Sequence, residues 1–328
     1  MTLLQDLQAI SGLRLWTQAP LAPFTTIGTG GNAMLLLTVS HQEALVAALR
    51  VLEGAATPWF CLGAGSNLLV ADEGCSTVVI KLGEGFHYVE GLPSASDCPA
   101  DGESVTLTVG AGSHLAHLAA VVAESGLSGL EFAGGIPGSV GGGVAMNAGA
   151  HGGALADVVE AVQLVSSTGV VWRSAGSLVW AYRECSLPSG SVVTAVRLRL
   201  LAGDAQVVVA DHRVLLRTRR RSQPRGVRTF GSVFKNPPGH SAGKLLDEAG
   251  LKGVRRGDAE VSTVHANFLV NLGDATTADM LALMTFMRDT VHHFHGILLQ
   301  PEVKLVGRDF PWDIIDDSVS PGLPGGRG

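Results

Sequence analysis

The chain has 328 residues, 46% of them hydrophobic and only 16% charged, with a formal net charge of −6. That length exceeds one typical domain and the hydrophobic content can fill a real core, which excludes a disordered chain. The charge is spread along the sequence, which excludes nucleic-acid binding through overall positive charge.

The N-terminus, MTLLQDLQAISGL, carries Asp6 and no basic lead segment, so it is not read as a secretory signal. Leu3, Leu4, Leu7 and Ile10 fit one face of a short amphipathic helix. Two long stretches, Leu15–Gln42 and Phe132–Ala156, contain no Asp, Glu, Lys or Arg. Pro20, Pro23, Gly28, Gly30 and Gly31 break the first, and a run of glycines breaks the second. A membrane-spanning helix wants about 20 mainly apolar residues without such breakers, so no span is expected.

Strand-like runs follow at Ala33–Val39, Trp59–Leu62, Thr77–Leu82, Ser104–Val109, Val158–Val165, Val170–Arg173, Ser191–Leu200 and Gln206–Val209. Helical patterns interleave at Gln42–Leu52 and at Leu115–Glu124, the latter stopped by Gly126. The first two-thirds therefore reads as α+β or α/β, without the regular alternation of a doubly wound sheet. Near residue 211 the composition shifts, with Arg217, Arg219, Arg220, Arg221, Arg225 and Arg228 within twelve residues. They either add positive potential for phosphates or form a solvated basic face. A compact second unit of roughly 80 residues follows. It has a helical SAGKLLDEAGL, a strand at Ala266–Leu272, and a long helix Ala275–Phe294 capped by Asp274. ILLQPEVKLVG is one more strand, and the tail beyond Arg308 has the composition of disorder. His292, His293 and His295 close the last helix, where its dipole favours cations, and are read as structural.

Cys61, Cys75, Cys98 and Cys185 show no CxxC spacing, so reduced thiols in a cytoplasmic protein are expected and a metal site is not.

Two glycine-rich segments carry the chemistry. In CLGAGSNLLVADEG an apolar strand enters Gly63-Ala64-Gly65-Ser66-Asn67, where glycines admit a ligand to the backbone and successive N–H groups can form an anion-binding nest. The spacing is neither GxGxxG opening a long helix nor GxxxxGK[ST], so Rossmann and P-loop readings fail, while an ordinary tight turn stays open. In GLEFAGGIPGSVGGGVAMNAGAHGG, six glycines fall within Gly134–Gly143. Ordering such a run costs entropy that a folded chain spends where a ligand or backbone must come close, and Pro137 argues against a linker. Two such loops suit one extended ligand carrying a diphosphate.

Together with FTTIGTGGNA (24–33), AYRECS (181–186), GSVFKNPPG (231–239), SAGKLLDEAGLKG (241–253), HANFLVN (265–271) and QPEVKLVG (300–307), these segments resemble the UDP-N-acetylenolpyruvoylglucosamine reductase family, in the family's order. The resemblance implies an α+β protein: an FAD-binding domain of the vanillyl-alcohol-oxidase (PCMH) type plus a smaller C-terminal α/β substrate-binding domain. The expected divisions are a first FAD-binding subdomain at 1–75 completed by 297–308, a second at 76–210, a substrate-binding domain at 211–296, and a disordered tail at 309–328. It implies non-covalent FAD, NADPH as co-substrate and UDP-N-acetylglucosamine enolpyruvate as substrate, in a cytoplasmic monomer of the peptidoglycan pathway. In the family, NADPH reduces FAD, hydride passes to substrate carbon C3, and the resulting enol is protonated at C2. Matched motif to motif, the proton donor is Ser232, with Arg183 and Glu302 stabilising the intermediate. FAD contacts fall on Gly63, Ala64, Gly65, Ser66, Asn67, Gly110, Gly135, Ile136, Gly138, Ser139, Gly142, Ala145 and Asn147; Tyr182, Lys235 and Asn236 meet the substrate. Residue types agree: serine is a weak acid that a basic enolate can deprotonate in a dry site, and arginine offers a planar fork for a carboxylate gaining charge.

Cys185 stands where many members have serine, and Ser232 follows Arg183 by only 49 positions, as in the family's shorter subgroup. A flavin oxidase or dehydrogenase of a small alcohol, and a nucleotide-sugar binding protein without catalysis, are the competing readings. The GSVFKNP and QPEVKLVG blocks argue against the first, and the trio Arg183, Ser232 and Glu302 against the second.

Overall fold

The computed structural model describes residues 2–93 and 99–312. Its α-helices among these residues are α1 (Leu3–Gln8), α2 (Gln42–Gly54), α3 (Leu115–Glu124), α4 (Val140–Ala145), α5 (Ala205–Ser222), α6 (Ala242–Glu248) and α7 (Thr277–His295). No described helix is long and apolar enough to cross a membrane. The uncharged stretch after Leu15 instead supplies two antiparallel strands, Leu13–Pro20 and Asn32–Val39.

Asn32–Val39 also pairs, in parallel, with Cys75–Leu82, which in turn pairs with Trp59–Cys61. On one side of this four-stranded sheet, Leu45, Leu49 and Leu52 of α2 pack with Leu35, Leu37 and Ile80. The same core takes in Val165 and Val192 of a second, antiparallel sheet, so α2 lies between the two. That second sheet runs Gly169–Ser174, Val159–Ser166, Val192–Ala202, Ser104–Gly110 and Val89–Glu90, with Leu127–Ser128 also on the long strand. Its core includes Leu115, Leu118 and Val122 of α3, the helical i, i+3, i+7 stripe. The C-terminal unit has α6, α7 and a small sheet of Arg255–Arg256, Ala259–Val261 and Leu269–Asn271 around Phe230, Phe234, Met280 and Met284.

Lys304–Val306 returns to pair in parallel with Leu68–Val70. This ladder carries the end of the chain back to the first glycine loop, which places residue 302 beside Asn67.

Several expectations are corrected. Gln206–Val209 is not a strand but the start of α5. Asp204 caps that helix by accepting from the Gln206 N–H at 2.7 Å, and Val208 and His212, four apart, form its buried edge. Val207 stays 56% exposed, so β-branching at one position did not outweigh cap and period. Four of the six arginines thus stand on α5, three in its last turn where the helix dipole favours them, and the helix runs through the expected edge at 210/211. The cap of α7 is Thr276, not Asp274: Thr276 accepts from the Asp279 N–H, and the Asp279 carboxylate accepts from the Thr276 N–H. Asp274 instead donates its N–H to Asp258. At Ala266–Leu272 only Leu269–Asn271 is strand. Of the expected tail, Phe310 and Trp312 stack at 5.3 Å and pack on the C-terminal core, while 313–328, like Cys98, lie outside the described residues.

Candidate functional site

A cleft with two lobes, of about 380 Å³ and about 280 Å³, runs between the first sheet and the glycine-rich segments. Gly63, Ala64, Ser139, Gly142 and Ala145 line both lobes, so they are one groove. Among the described residues, no backbone N–H from Gly63 to Asn67 donates to a protein acceptor, although Leu62 before them donates to Ile80. Buried or half-buried N–H groups are nearly always paired, so this row of free donors in a groove is what a ligand's anionic group requires. Gly65, at φ +65, is held there by close approach: a Cβ would lie 2.0 Å from the Phe24 carbonyl oxygen. The Gly65 carbonyl in turn accepts from the Thr26 N–H. The Ser66 hydroxyl donates to the Pro137 carbonyl at 2.9 Å, joining the two glycine segments directly. A groove long enough for two lobes, walled by backbone and with unpaired donors at its middle, fits the FAD that the resemblance implies.

The larger lobe ends at Arg183, Ser232 and Glu302. Four distant segments converge there. Val233 donates its N–H to the Asn267 carbonyl, Glu302 donates to the Val233 carbonyl, and Lys235 donates to the Gln300 carbonyl. The buried Asn267 side chain accepts from the Phe234 N–H at 3.0 Å and donates to the Phe234 carbonyl at 2.8 Å. Segments 232–235 and 300–302 are thereby registered, with Ser232 and Glu302 on the same wall. The Ser232 hydroxyl has no protein hydrogen bond among the described residues and faces the lobe. Asn67 donates its side-chain amide to the Glu302 carbonyl at 3.1 Å, tying the first glycine loop to this corner.

Arg183 arrives on a hairpin in which Trp180–Ala181 pairs with Glu184–Cys185. It takes φ +62, which costs a non-glycine residue of order 1–2 kcal/mol and is retained where the surroundings over-determine it. Asn147 is one such determinant: it donates to the Ala181 carbonyl and accepts from the Ala156 N–H, both at 3.0 Å. Arg183 Nε donates to Glu302 Oε1 at 2.8 Å and Nη1 to the Gly149 carbonyl at 2.9 Å. Burial raises the Glu302 pKa from the ordinary carboxylate range, with the charges of Arg183 and Lys235 acting in the opposite sense. A largely buried carboxylate hydrogen-bonded to a fixed guanidinium can hold or share a proton beside a developing charge.

The remaining expected contacts do not line the groove. Gly110 abuts the Phe86 carbonyl, Gly135 packs against Leu216 of α5, and Asn147 braces the hairpin as described. Tyr182 is half exposed beside the Arg183 guanidinium. Lys235 acts on Glu302 through its charge, and the Asn236 side chain accepts from the Ala242 N–H at the start of α6. Arg219 of α5, Gln223 just beyond it and Lys304 do line the larger lobe, and Lys81, His87 and His114 the smaller. Arg219 was visible only as one of six arginines. Its signal is the helical spacing His212, Leu216, Arg219 along one side of α5, which needs the helix to be known first.

Residues 223–306 match the family model of the UDP-N-acetylenolpyruvoylglucosamine reductase C-terminal domain, and 33–175 match that of an FAD binding domain. The chain is 46% identical over 292 residues to the UDP-N-acetylenolpyruvoylglucosamine reductase of Anaeromyxobacter sp. (strain Fw109-5), covering 88% of this chain and 87% of that one. To that of Myxococcus xanthus (strain DK1622) it is 42% identical, over 92% and 94%. The crystal structure of the Thermus caldophilus enzyme of the same name superposes with a TM-score of 0.75 at 38% identity, covering 90% of this chain and 98% of that one. A Physcomitrella patens berberine-bridge-enzyme-like protein shares the fold alone, with a TM-score of 0.55 at 14% identity over 95% and 92%.

Proposed function

The chain belongs to the UDP-N-acetylenolpyruvoylglucosamine reductase family, FAD-containing enzymes that reduce UDP-N-acetylglucosamine enolpyruvate to UDP-N-acetylmuramate with NADPH in peptidoglycan synthesis, and from that premise we propose how its residues divide the work. The observation that carries the proposal is the meeting of Ser232, Glu302 and Arg183 at one end of a groove whose other walls are the two glycine segments. Bound FAD supplies the hydride for the enolpyruvyl carbon C3. Gly63–Asn67 offers its N–H groups to the cofactor diphosphate, and Ile136, Gly138, Ser139, Gly142 and Ala145 form the facing wall. Arg183 holds the substrate carboxylate as it gains charge, and Glu302 fixes the guanidinium and shares a proton with the enol oxygen. The Ser232 hydroxyl, free of protein partners, gives its proton to C2 from the side of the wall it occupies. Lys235 adds positive charge for the nucleotide sugar, and Tyr182 and Asn236 stand at the outer rim.

On the same reading, 1–75 with 297–308 and 76–210 hold FAD, and 211–296, whose first residues continue α5, binds the substrate. The enzyme, on that reading, works in the cytoplasm as a monomer. The purified protein should be yellow and should oxidise NADPH steadily only when UDP-N-acetylglucosamine enolpyruvate is present. A colourless protein would sink the cofactor reading, and a yellow one indifferent to that substrate would sink the substrate reading.

A further inference from the structure

Lys81 lies on the strand Cys75–Leu82, with its side chain in the wall of the smaller lobe. Its ammonium donates to the Gly63 carbonyl at 3.0 Å and sits 5.3 Å from the Phe24 ring centroid. Gly63 opens the row of free N–H groups, and the Phe24 carbonyl is the atom against which Gly65 is wedged. One ammonium therefore touches both sides of the loop's base. Among the described residues, no carboxylate pairs with it.

Burial draws the Lys81 pKa down, as expected for a cation short of an anion. The titratable neighbour is Cys61, which is open to the groove, yet the protein atoms around it push its thiol up to about 12. A neutral thiol supplies no counter-charge. A half-buried cation without an anionic partner is expensive, and among the described residues its one hydrogen-bond acceptor is the neutral Gly63 carbonyl. The groove it lines has five N–H donors awaiting an anion.

We propose that Lys81 is the counter-charge of the cofactor's diphosphate and, through the Gly63 carbonyl, the prop that turns the Gly63–Asn67 donors toward it. The inference rests on the assignment of that loop to the diphosphate. Met in place of Lys keeps the aliphatic stem and removes a buried charge, so the fold should tolerate it; Arg restores the charge.

The test measures binding of FAD and of riboflavin, which lacks phosphate, to flavin-stripped protein by fluorescence quenching, alongside the unfolding temperature with and without FAD. Lys81→Met should weaken FAD by roughly 10- to 100-fold, the loss of one charge-assisted contact, and leave riboflavin unchanged. The flavin-free variant should melt no lower than the wild type, with a smaller upward shift on adding FAD, and Lys81→Arg should recover most of the lost affinity. Equal weakening of both ligands by Lys81→Met, or no rescue by arginine, would overturn the role of Lys81. If the wild type itself bound FAD no more tightly than riboflavin, the assignment of the loop to the diphosphate would fall instead.

Discussion

Along Gly63–Asn67 and Gly134–Gly143 the groove wall is main chain, while at Arg183, Ser232 and Glu302 it is side chains. The two regions meet where Asn67 donates to the Glu302 carbonyl, and are built on opposite principles. The backbone wall owes its shape to atoms that are absent: Gly65 can stand against Phe24 only without a Cβ. The reaction corner owes its shape to backbone ladders elsewhere, where 232–235, 267 and 300–302 pair across large sequence gaps. A cradle of main chain can hold a cofactor whatever the neighbouring side chains are, whereas a corner of side chains needs each identity and each support.

The sharpest way to break this comparison is to remove one atom from the corner and ask whether the cradle notices. Ser232→Ala should lower kcat by about 10²- to 10⁴-fold, the span for a lost general acid. Bound FAD and the rate of flavin reduction by NADPH in stopped flow should stay as they are. Loss of flavin from this variant would show that the two regions are not separable. Normal turnover would remove Ser232 as proton donor.

The converse change adds an atom to the cradle. In Gly65→Ala the new Cβ meets the Phe24 carbonyl at 2.0 Å, and φ +65 suits alanine poorly. The strain, of order 1–3 kcal/mol, should weaken FAD roughly 10- to 100-fold, read from the flavin-to-protein absorbance ratio after dialysis. Saturated flavin would mean that the loop's close approach to Phe24 does not shape the cofactor site.

The same contrast explains what could be read from sequence. The cradle announces itself because its glycines are consecutive in the chain, and the strands flanking it alternate or run apolar as expected. The corner does not, because nothing local marks Ser232 as facing Glu302; only eight blocks in a family's order brought them together. Asn267 lies in the HANFLVN segment, yet its two hydrogen bonds to Phe234 depend on a pairing 33 residues away. Arg219 stayed hidden in a basic run because Gln206–Val209 reads as strand by composition, and α5 is set instead by the Asp204 cap and the spacing of its buried side. Asn147 falls in the glycine-rich block and invites a ligand role, while its amide joins two protein carbonyl and N–H groups.

That brace can be tested at a smaller scale. Asn147→Ala removes the bond to the Ala181 carbonyl of the hairpin carrying Arg183 and the bond from the Ala156 N–H that fixes the amide, each worth about 0.5–1.5 kcal/mol. As a positioning change it should lower kcat about 3- to 10-fold while FAD content and the flavin reduction rate hold, which separates hairpin placement from cofactor binding. A drop in FAD affinity with kcat preserved would return Asn147 to the cradle.

The finest probe concerns the charge that the corner carries. Burial raises the Glu302 pKa above that of an unfolded glutamate, about 4.3, against the pull of Arg183 and Lys235. The folded state therefore binds a proton at pH values where the unfolded chain has released it, and stability falls as pH rises through that window. Glu302→Gln cannot titrate, so the wild type should lose stability relative to the variant as pH climbs from the unfolded value to the raised folded value, with a constant difference above it. Melting temperatures of both proteins across that range give the difference directly, and other carboxylates cancel because the two chains share them. A wild type that instead gained on the glutamine variant with rising pH would mean that Arg183, not burial, dominates at this carboxylate. The corner would then hold a plain ion pair, and Glu302 would have no proton to share with the enol at neutral pH.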